Sequence, residues 1–410
     1  MHPAERPARL SSLHFRFVTD KGQPAAAGPG RPIRVLWLIK GLGPGGAERL
    51  VVAAARERSA DIAATVAYVL PHKTALVAEL ETVGVATRCV GAGRRTADPR
   101  WVLRLRRLLA DGGYDIVHVH SPVPAVAARL AASTLRRNRR PVLVTTEHNV
   151  WSSHGRLTRW ANRLTGRLDD TTLAVSEAVR ASMPSRSRRS TEVIIYGVDL
   201  ASVRGQSSRR AEIRAELGLG DDQVLVVTVA NLRATKGYPD LLAAARRVAD
   251  RRSDVMFVAV GQGPMEAELL DLHRKLDLGD RFRFLGFRDD AVALTAAGDV
   301  FCLASHHEGL PIALIEAMAL GRAIVATRVG GNEEIVTADE SALLVPSRDP
   351  AALARALDQI IADPDRRRSL GAAARLRSDA LDVRAAVGAL EDRYRALLDE
   401  RLTRDRPGAT

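Results

Sequence analysis

The stretch SHHEGLPIALIEAMALG (residues 305–321) is the most informative part of this sequence about its architecture. Apolar runs lie on both sides of it, at 299–304 and 323–326, and such near-continuous runs are typical of buried parallel strands. Between them, Pro311 suits the first position of a helix and Gly321 suits its C-terminal cap. The stretch therefore predicts strand, loop, helix and strand, the repeating unit of a parallel sheet.

Two glutamates in this stretch are candidates for binding a ligand. Glu308 falls in the loop before the predicted helix, and Glu316 falls about a turn and a half inside it. Helix starts attract anions, so a ligand phosphate can lie over Gly309, Leu310 and Pro311. Glu308 is then placed to accept hydrogen bonds from sugar hydroxyls, and Glu316 from a ribose. The alternative for Glu316 is simply the wet side of an amphipathic helix.

The same alternation of strand and helix continues in both directions. Two series of strands are predicted: 33–39, 65–70, 115–120, 142–146, 172–175 and 192–195, then 224–229, 255–260, 282–285, 299–304, 323–326 and 343–346. Helices between them imply parallel sheets covered on both faces. The predicted class is α/β, with two Rossmann-like domains whose parallel sheets face each other across a cleft at the carboxyl ends of the strands.

A glycine loop, Gly41-Leu-Gly43-Pro-Gly45-Gly46, follows the first strand. It satisfies the spacing of a dinucleotide site, but that site needs an acid at the end of the next strand. The sequence there, 69–73, carries none. Two interpretations stay open: a tight turn, or a loop whose backbone N–H groups approach a diphosphate.

Arg233 and Lys236 form a second candidate, in the turn after strand 224–229. Two cations three residues apart can face one anion, Arg as a planar fork and Lys as a point charge. On its own, this pair favours the alternative of two solvated surface charges.

Taken together, these motifs resemble the retaining glycosyltransferases of family 4, which have the GT-B fold. The resemblance begins with two glutamates separated by seven residues in the E-G…E-A-M-A-x-G setting of 308–321 and spans about residues 33–400. Further matches follow in order along the chain: 45–49 (GGAER), 175–177 (VSE), 236–237 (KG), 261–264 (GQGP), 284–286 (FLG), 330–336 (GGNEEIV) and 343–346 (LLVP).

The resemblance implies a nucleotide-sugar donor held by the second domain. Glu308 would contact the sugar, Glu316 the ribose, and Arg233 with Lys236 the diphosphate. The loop at Gly45 and Gly46 would close over the phosphates. His148 matches the histidine that the family places near the reaction centre, and it is both a catalytic and an acceptor candidate. His120, at another strand end, is a weaker acceptor candidate.

The implied division is a disordered leader at 1–30, an acceptor domain at 31–197, a donor domain at 198–384 and a terminal helix at about 385–405 that returns to the first domain. Two departures stand out. The family's phosphate-turn arginine usually occupies the position of Asn231, and Arg233 is the expected substitute. The interdomain N-G-V-D string begins with Tyr196.

Neither a metal nor an organic cofactor is expected. The chain's D-x-D string is Asp363-Pro364-Asp365, at a predicted helix end beside three arginines, where a turn is the better interpretation. Two cysteines, Cys89 and Cys302, exclude a Cys-based zinc site and fit a reducing compartment. Cationic side chains and the helix start would then stabilise the departing nucleoside diphosphate.

Charge is concentrated in one half of the chain. Residues 1–200 carry 31 Lys and Arg against 16 Asp and Glu, whereas residues 201–410 carry 30 against 32. The first half therefore favours an anionic partner: a membrane surface, a phosphorylated acceptor or nucleic acid. Aromatics make up only 4% of the chain, which disfavours nucleic acid. The arginines at 156, 159, 163 and 167 share a helical face beside Trp160, and the alternative to membrane docking is a solvated face over a buried Trp160.

The sequence thus predicts a cytoplasmic hexosyltransferase with peripheral contact to the inner membrane face. It would use a nucleoside-diphosphate sugar and retain configuration, and its acceptor would be an anionic, lipid-linked or polysaccharide hydroxyl of the cell envelope. Two alternatives stay open: another GT-B sugar-nucleotide enzyme such as an epimerase, and a non-enzymatic nucleic-acid-binding protein.

Overall fold

The computed structural model describes residues 31–91, 98–220 and 222–405. The leader predicted at residues 1–30 lies outside the described residues. No helix within the described ranges is both long enough and apolar enough to cross a membrane.

Two parallel sheets form the centre of the molecule, which confirms the predicted α/β class. The first sheet has the order β3-β2-β1-β4-β5-β6-β7, and its strands are β1 Ile33–Ile39, β2 Ile62–Tyr68, β3 Ala86–Cys89, β4 Ile116–Val119, β5 Val142–Glu147, β6 Thr171–Ala174 and β7 Thr191–Val193. The second has the order β10-β9-β8-β11-β12-β13, and its strands are β8 Val224–Val229, β9 Val255–Val260, β10 Phe282–Phe284, β11 Val300–Leu303, β12 Ala323–Thr327 and β13 Leu343–Val345. In both sheets the central strands are almost wholly buried, because helices cover both faces.

Helices connect the strands of each sheet. Those of the first series are α1 Gly46–Glu57, α2 Val77–Thr82, α3 Arg100–Gly112, α4 Pro122–Ser133, α5 Arg156–Thr165, α6 Glu177–Ser182 and α7 Ser185–Ser190. Those that follow are α8 Leu200–Gly205, α9 Arg210–Glu216, α10 Tyr238–Ala249, α11 Glu266–Lys275, α12 Ala291–Ala297, α13 Ile312–Ala319, α14 Asn332–Ile335, α15 Pro350–Ala362, α16 Pro364–Ser378 and α17 Val383–Asp405.

The ends of two helices differ from the sequence prediction. Helix α13 begins at Ile312, one residue later than expected, because Pro311 has the extended conformation of an N-cap, with ψ of 90°. The sequence predicts the arginines at 156, 159, 163 and 167 on one helix, but α5 ends at Thr165 and tightens into a 3₁₀ turn over Gly166–Leu168 that carries Arg167. The predicted cap Gly321 does end α13, with φ of 66°, and its N–H bonds the carbonyl of Met318 at 2.9 Å.

The chain crosses between the two sheets twice, at neighbouring points. Val198 pairs in parallel with Asp382, and the Val198 N–H donates to the carbonyl of Leu381 at 3.0 Å. After this second crossing, α17 packs on the first sheet, where Tyr394 is buried and its hydroxyl accepts from Trp37 Nε1 at 3.1 Å. The helix begins at Val383, earlier than predicted. The two crossings form a narrow hinge beside the cleft.

Candidate active site

The loop between β11 and α13 holds Glu308 in a buried setting. The residue is 6% exposed, and its Oε1 accepts hydrogen bonds from Ser305 Oγ at 2.6 Å and from Lys236 Nζ at 2.6 Å. The sequence predicted Glu308 and Lys236 as separate ligands, one for sugar and one for diphosphate. The structure instead joins them in one ion pair, whose carboxylate is oriented by a fully buried hydroxyl.

Gly237 brings Lys236 close to this loop. It has φ of 63°, and a Cβ at this position would overlap the carbonyl oxygen of Ala304, just after β11. The N–H of His306 then donates to the carbonyl of Thr235 at 2.8 Å, which joins the two loops by their backbones. Glycine suits position 237 because the backbone there is left-handed and lies too close to Ala304 for a side chain.

Arg233 differs from Lys236 because it is exposed and its charge acts on a different acid. Its positive charge acts on Glu48, in the first turn of α1. Burial raises the pKa of Glu48, whereas the charges of Lys73, Arg233 and Lys40 lower it. Sequence reasoning missed Glu48, although an acid in the first turn of a glycine-led helix was a visible signal. The first turn of α1 therefore carries a carboxylate, that of Glu48.

The glycine loop faces the start of α13 across the cleft. A Cβ on Gly46 would lie 3.9 Å from Ile312 Cγ1, and the neighbouring Gly45 adopts an extended N-cap conformation. Leu310 and Ile312 pack against the apolar cores of both sheets. The start of α13, with Pro311 as its N-cap, is therefore the point where the two sheets meet.

Glu316 lines a cavity of about 170 Å³ between the sheets. The walls come from α1, α13 and the hinge, and include Arg49, Gly197 and Asp199. Burial raises the pKa of Glu316 to about 7, and the charge of Arg49 opposes that rise. Glu316 is half-buried and lines the cavity, so its carboxyl faces the space between the two sheets. Arg49 was not singled out from the sequence.

A histidine cluster lies at the carboxyl ends of β4 and β5. His148 Nε2 and His120 Nδ1 share a hydrogen bond of 3.1 Å, and the ring of His118 stacks 4.1 Å from that of His120. Burial lowers the pKa of His148 to about 4 and that of His120 well below its usual value. Both rings are therefore neutral near pH 7, so one of them donates and the other accepts. His118 bonds to Tyr394 and Thr146, which ties the cluster to α17.

Backbone contacts fix His148 against the loop of Glu308. A Cβ on Gly309 would overlap the carbonyl oxygen of His148, and a Cβ on Gly331 would overlap that of Gly309. The Gly309 backbone is thus held between the first sheet and the loop before α14. His148 and Glu308 consequently border the same part of the cleft, and the buried His120 is hydrogen-bonded to His148.

A second bridge across the cleft joins two of the matched motifs. The carboxylate of Glu334, on α14, accepts hydrogen bonds from the backbone N–H groups of Glu177 at 2.7 Å and Ala178 at 2.6 Å. These groups open α6, so the acid caps a helix of the opposite sheet. Helix α6 also has a local N-cap, Ser176, whose Oγ accepts from the Val179 N–H. Sequence reasoning did not identify Glu334 as a bridge.

The acid pair expected to form a turn lies instead at the start of a helix, with Asp363 between α15 and α16 and Asp365 in the first turn of α16. Asp363 caps α16 by accepting from the Arg366 N–H at 2.8 Å, and Asp365 pairs with Arg368. Among residues 31–91, 98–220 and 222–405, no group of three or more His, Cys, Asp or Glu is arranged to hold a metal ion.

Comparisons with known proteins agree with this architecture. Residues 209–377 match the family described as "Glycosyl transferases group 1", and residues 44–202 match "Glycosyltransferase Family 4". The D-inositol 3-phosphate glycosyltransferase of Saccharomonospora viridis is 31% identical over 321 residues, which cover 72% of this chain and 73% of the relative. A GDP-mannose-dependent α-(1-6)-phosphatidylinositol monomannoside mannosyltransferase of Mycobacterium tuberculosis is 30% identical over 288 residues, 67% of this chain and 73% of the relative.

Solved structures show the same fold. Anabaena HepE, crystallised with UDP and glucose, superposes with a TM-score of 0.78 at 22% identity, over 88% of this chain and 98% of the other. WaaG, a glycosyltransferase involved in lipopolysaccharide biosynthesis, gives a TM-score of 0.67 at 16% identity, over 88% and 99%. The predicted GT-B architecture is confirmed, and the chain is a glycosyltransferase that belongs to the group 1, family 4 glycosyltransferases.

Proposed function

We propose that this enzyme transfers a hexosyl group from a nucleoside-diphosphate sugar to an acceptor hydroxyl, with retention of configuration. The observation that carries the proposal is the meeting of Lys236, Glu308 and the start of α13 with the His148 backbone at one point of the cleft. A cation, a sugar-binding acid and a helix start are the groups that a sugar diphosphate needs. HepE binds UDP and UDP-glucose, and the mycobacterial relative is GDP-mannose-dependent, which supports this donor class.

On donor binding, the ion pair of Lys236 and Glu308 is replaced by two contacts to the donor. Lys236 leaves Glu308 and contacts a diphosphate oxygen, while the freed carboxylate accepts hydrogen bonds from sugar hydroxyls. Ser305 keeps that carboxylate oriented during the exchange. Arg233 adds positive charge from the cleft edge, and Glu316 accepts from the ribose. No metal or organic cofactor takes part, so Lys236, Arg233 and the α13 N–H groups stabilise the leaving diphosphate.

The transfer itself occurs on one face of the sugar. The bond from the anomeric carbon to the phosphate oxygen breaks, a bond to the acceptor oxygen forms, and the acceptor proton passes to the leaving phosphate. The neutral His148 borders this point and orients the acceptor hydroxyl by a hydrogen bond. Holding donor and acceptor in this geometry supplies much of the rate, because it replaces a bimolecular encounter.

The acceptor is an anionic or lipid-linked molecule of the cell envelope. The excess of 31 Lys and Arg over 16 Asp and Glu in residues 1–200 favours a negatively charged acceptor or membrane surface on the first-sheet side. Relatives named for a phosphatidylinositol mannoside and for D-inositol 3-phosphate support that class. The enzyme works in the cytoplasm, in peripheral contact with the inner membrane face.

A donor screen followed by product analysis tests this function. UDP, GDP and ADP sugars are first ranked by thermal shift, because a ligand of the native site raises the melting temperature by mass action. The best donor is then incubated with extracted envelope lipids and with inositol phosphate, and the product's anomeric configuration is read by NMR. An α-linked product from an α-linked donor supports retention. An inverted product, or an altered free sugar nucleotide formed without acceptor, contradicts the proposal.

A further inference from the structure

Helix α5 has a polar inner face. Its one fully buried residue is Asn162, whose Nδ2 donates to the carbonyl of Pro122 at 3.0 Å and whose Oδ1 accepts from Arg129 Nη1 at 2.7 Å. Arg129 also forms a buried ion pair with Asp169 at 2.6 Å. This network fixes α5 against α4 without any apolar core of its own.

The outer face of α5 is apolar, the reverse of an ordinary surface helix. Leu157 is 78% exposed, Trp160 is 62% exposed and Leu164 is 50% exposed. Their spacings of three and four place them on one side of the helix, and Leu168 continues the line into the following 3₁₀ turn. We call these four residues the α5 stripe. The alternative of a buried Trp160 is wrong.

Exposed apolar residues are concentrated around this stripe. Of the ten large apolar side chains exposed among the described residues, six lie between residues 103 and 168. Besides the α5 stripe these are Leu103 on α3 and Leu130 on α4, and α3, α4 and α5 pack side by side in that order. Contiguous exposed apolar surface marks an interaction site rather than ordinary surface.

Arginines flank the stripe. Arg156, Arg159, Arg163 and Arg167 lie on α5 and its 3₁₀ turn, and within the described part of the chain none of the four forms an ion pair. Apolar side chains with unpaired cations beside them are the pattern of a helix that lies in a bilayer interface, with leucines and tryptophan in the acyl boundary and arginines at the headgroups.

The position of α5 connects this surface to the cleft. The helix follows β5 and His148, and its first turn lies at the same sheet edge as His148, because a connection of this kind begins at the carboxyl end of its strand. A bilayer that receives Leu157 and Trp160 therefore lies next to the acceptor side of the cleft.

We propose that the α5 stripe inserts into the interface of an anionic bilayer and so presents the first-sheet side of the cleft to a membrane-borne acceptor. The partner is an anionic lipid surface, because the four arginines beside the stripe attract negatively charged headgroups. Insertion, rather than charge alone, holds the enzyme there. The inference rests on the proposed function only for the statement that the acceptor is lipid-linked.

Vesicle flotation of the full chain tests the insertion. Vesicles of phosphatidylcholine alone and of equal phosphatidylcholine and phosphatidylglycerol are compared at 0.1 M and 1 M NaCl. We expect binding to the mixed vesicles only, about fivefold weaker for each arginine changed to Gln. Changing Leu157, Trp160 and Leu164 together to Ser should weaken binding more than about tenfold. The control, Leu376→Ser with Leu402→Ser, removes exposed leucines elsewhere and should bind as wild type.

Brominated lipids report where Trp160 lies. Trp37 and Trp101 are buried, whereas Trp151, just before α5, is half-buried. The measurement is therefore made in a Trp151→Phe background, where quenching by brominated acyl chains comes from the exposed Trp160. Trp160→Phe should keep vesicle binding and lose most of the quenching. Binding without quenching, equal binding by the triple Ser variant, or a lipid-free dimer that this variant abolishes would each overturn the proposal.

Donor binding separates this inference from the proposed function. The triple Ser variant should keep the thermal shift that UDP or GDP gives the wild type, because α5 lies outside the donor contacts. Loss of docking with an intact nucleotide shift supports insertion. A protein that docks but shows no shift with any nucleotide sugar contradicts the proposed function and leaves the docking result standing.

Discussion

Helices α13 and α5 each follow a strand at the carboxyl edge of a sheet. They differ in that α13 buries its apolar side chains, whereas α5 exposes them. In α13, Leu314, Ile315 and Met318 are buried, and the acid Glu316 lines a cavity. In α5 the buried residue is Asn162, and leucines face outward. Helix α13 thus turns its apolar side chains to the interior and its acid to the cleft, whereas α5 turns its apolar side chains to the outside.

The charges on α5 also differ from those elsewhere. Many arginines of the chain pair with nearby acids, as in the bonds of Arg210 and Arg214 to Asp299 and of Arg288 to Glu216. The arginines of α5 form no such pairs among the described residues. Changes near α13 should therefore alter catalysis with any acceptor, and changes on α5 should alter only reactions at a membrane.

Glu308→Gln should have the largest effect. The substitution removes the charge that holds Lys236 and weakens hydrogen bonds to the donor sugar. Loss of a charged hydrogen bond costs about 1.5–3 kcal/mol, so kcat with a water-soluble acceptor should fall about 10- to 150-fold. The exposed Glu266→Gln, on α11, is the control. Wild-type turnover by Glu308→Gln would remove this residue from the site.

Lys236→Ala should lower kcat/KM at least about tenfold, since one diphosphate contact is lost. Chelation with EDTA should leave wild-type activity unchanged, because cations of the protein take the place of a metal. The exposed Lys275→Ala is the matched control. Complete and reversible loss of activity on chelation would show that a metal carries the phosphate charge.

Glu316 should make nucleotide binding depend on pH. Its pKa of about 7 means that the acceptor form, the carboxylate, becomes dominant only above neutrality. UDP should therefore bind wild type more tightly at pH 8 than at pH 6, and Glu316→Gln should lose about tenfold in affinity at pH 8. UDP itself titrates in this range, and Glu316→Gln measured at both pH values gives that contribution alone. Parallel pH profiles for both proteins would contradict a ribose contact.

The same pKa predicts a stability effect of defined sign. A carboxyl whose folded pKa is raised disfavours the folded state once it ionises, so its penalty is absent below pH 4.5 and complete above about pH 7. Without nucleotide, Glu316→Gln should therefore be more stable than wild type at pH 8 and nearly equal to it at pH 4. Urea unfolding at the two pH values measures the difference.

Glu334→Gln should have the smallest effect. Gln keeps one acceptor oxygen for the two N–H groups at the start of α6, so the free energy of unfolding should fall by about 1 kcal/mol. Glu333→Gln, an exposed neighbour, is the control. Equal unfolding curves for the two variants would mean that the bridge contributes nothing to holding the sheets together.

Apolar periodicity predicted the elements that are buried. The predicted strands 224–229 and 255–260 coincide with β8 and β9, whose apolar runs allow one interpretation. Helix α11 was missed because its ten residues are mostly charged and bury only Leu269. The edge strand β3 was missed because it buries none of its four residues.

The site was predictable as a set of residues but not as a set of contacts. Each residue type carried its chemistry in the sequence, and the motif spacing implied the roles. The ion pair of Lys236 with Glu308 depends on how closely Gly237 approaches Ala304, a tertiary contact between segments far apart in the chain. Likewise, Trp160 has the same sequence spacing whether its helix faces the core or water, and the anchor at Asn162 decides which.

Hydrogen–deuterium exchange of the full chain tests whether nucleotide and membrane bind at the two separate places, near α13 and at α5. We expect UDP or GDP to protect backbone amides in residues 305–316 and 234–237 and to leave α5 unchanged. Anionic vesicles should protect α5 and leave those two segments unchanged. Nucleotide protection confined to the first sheet, or vesicle protection at α13 instead of α5, would contradict the account.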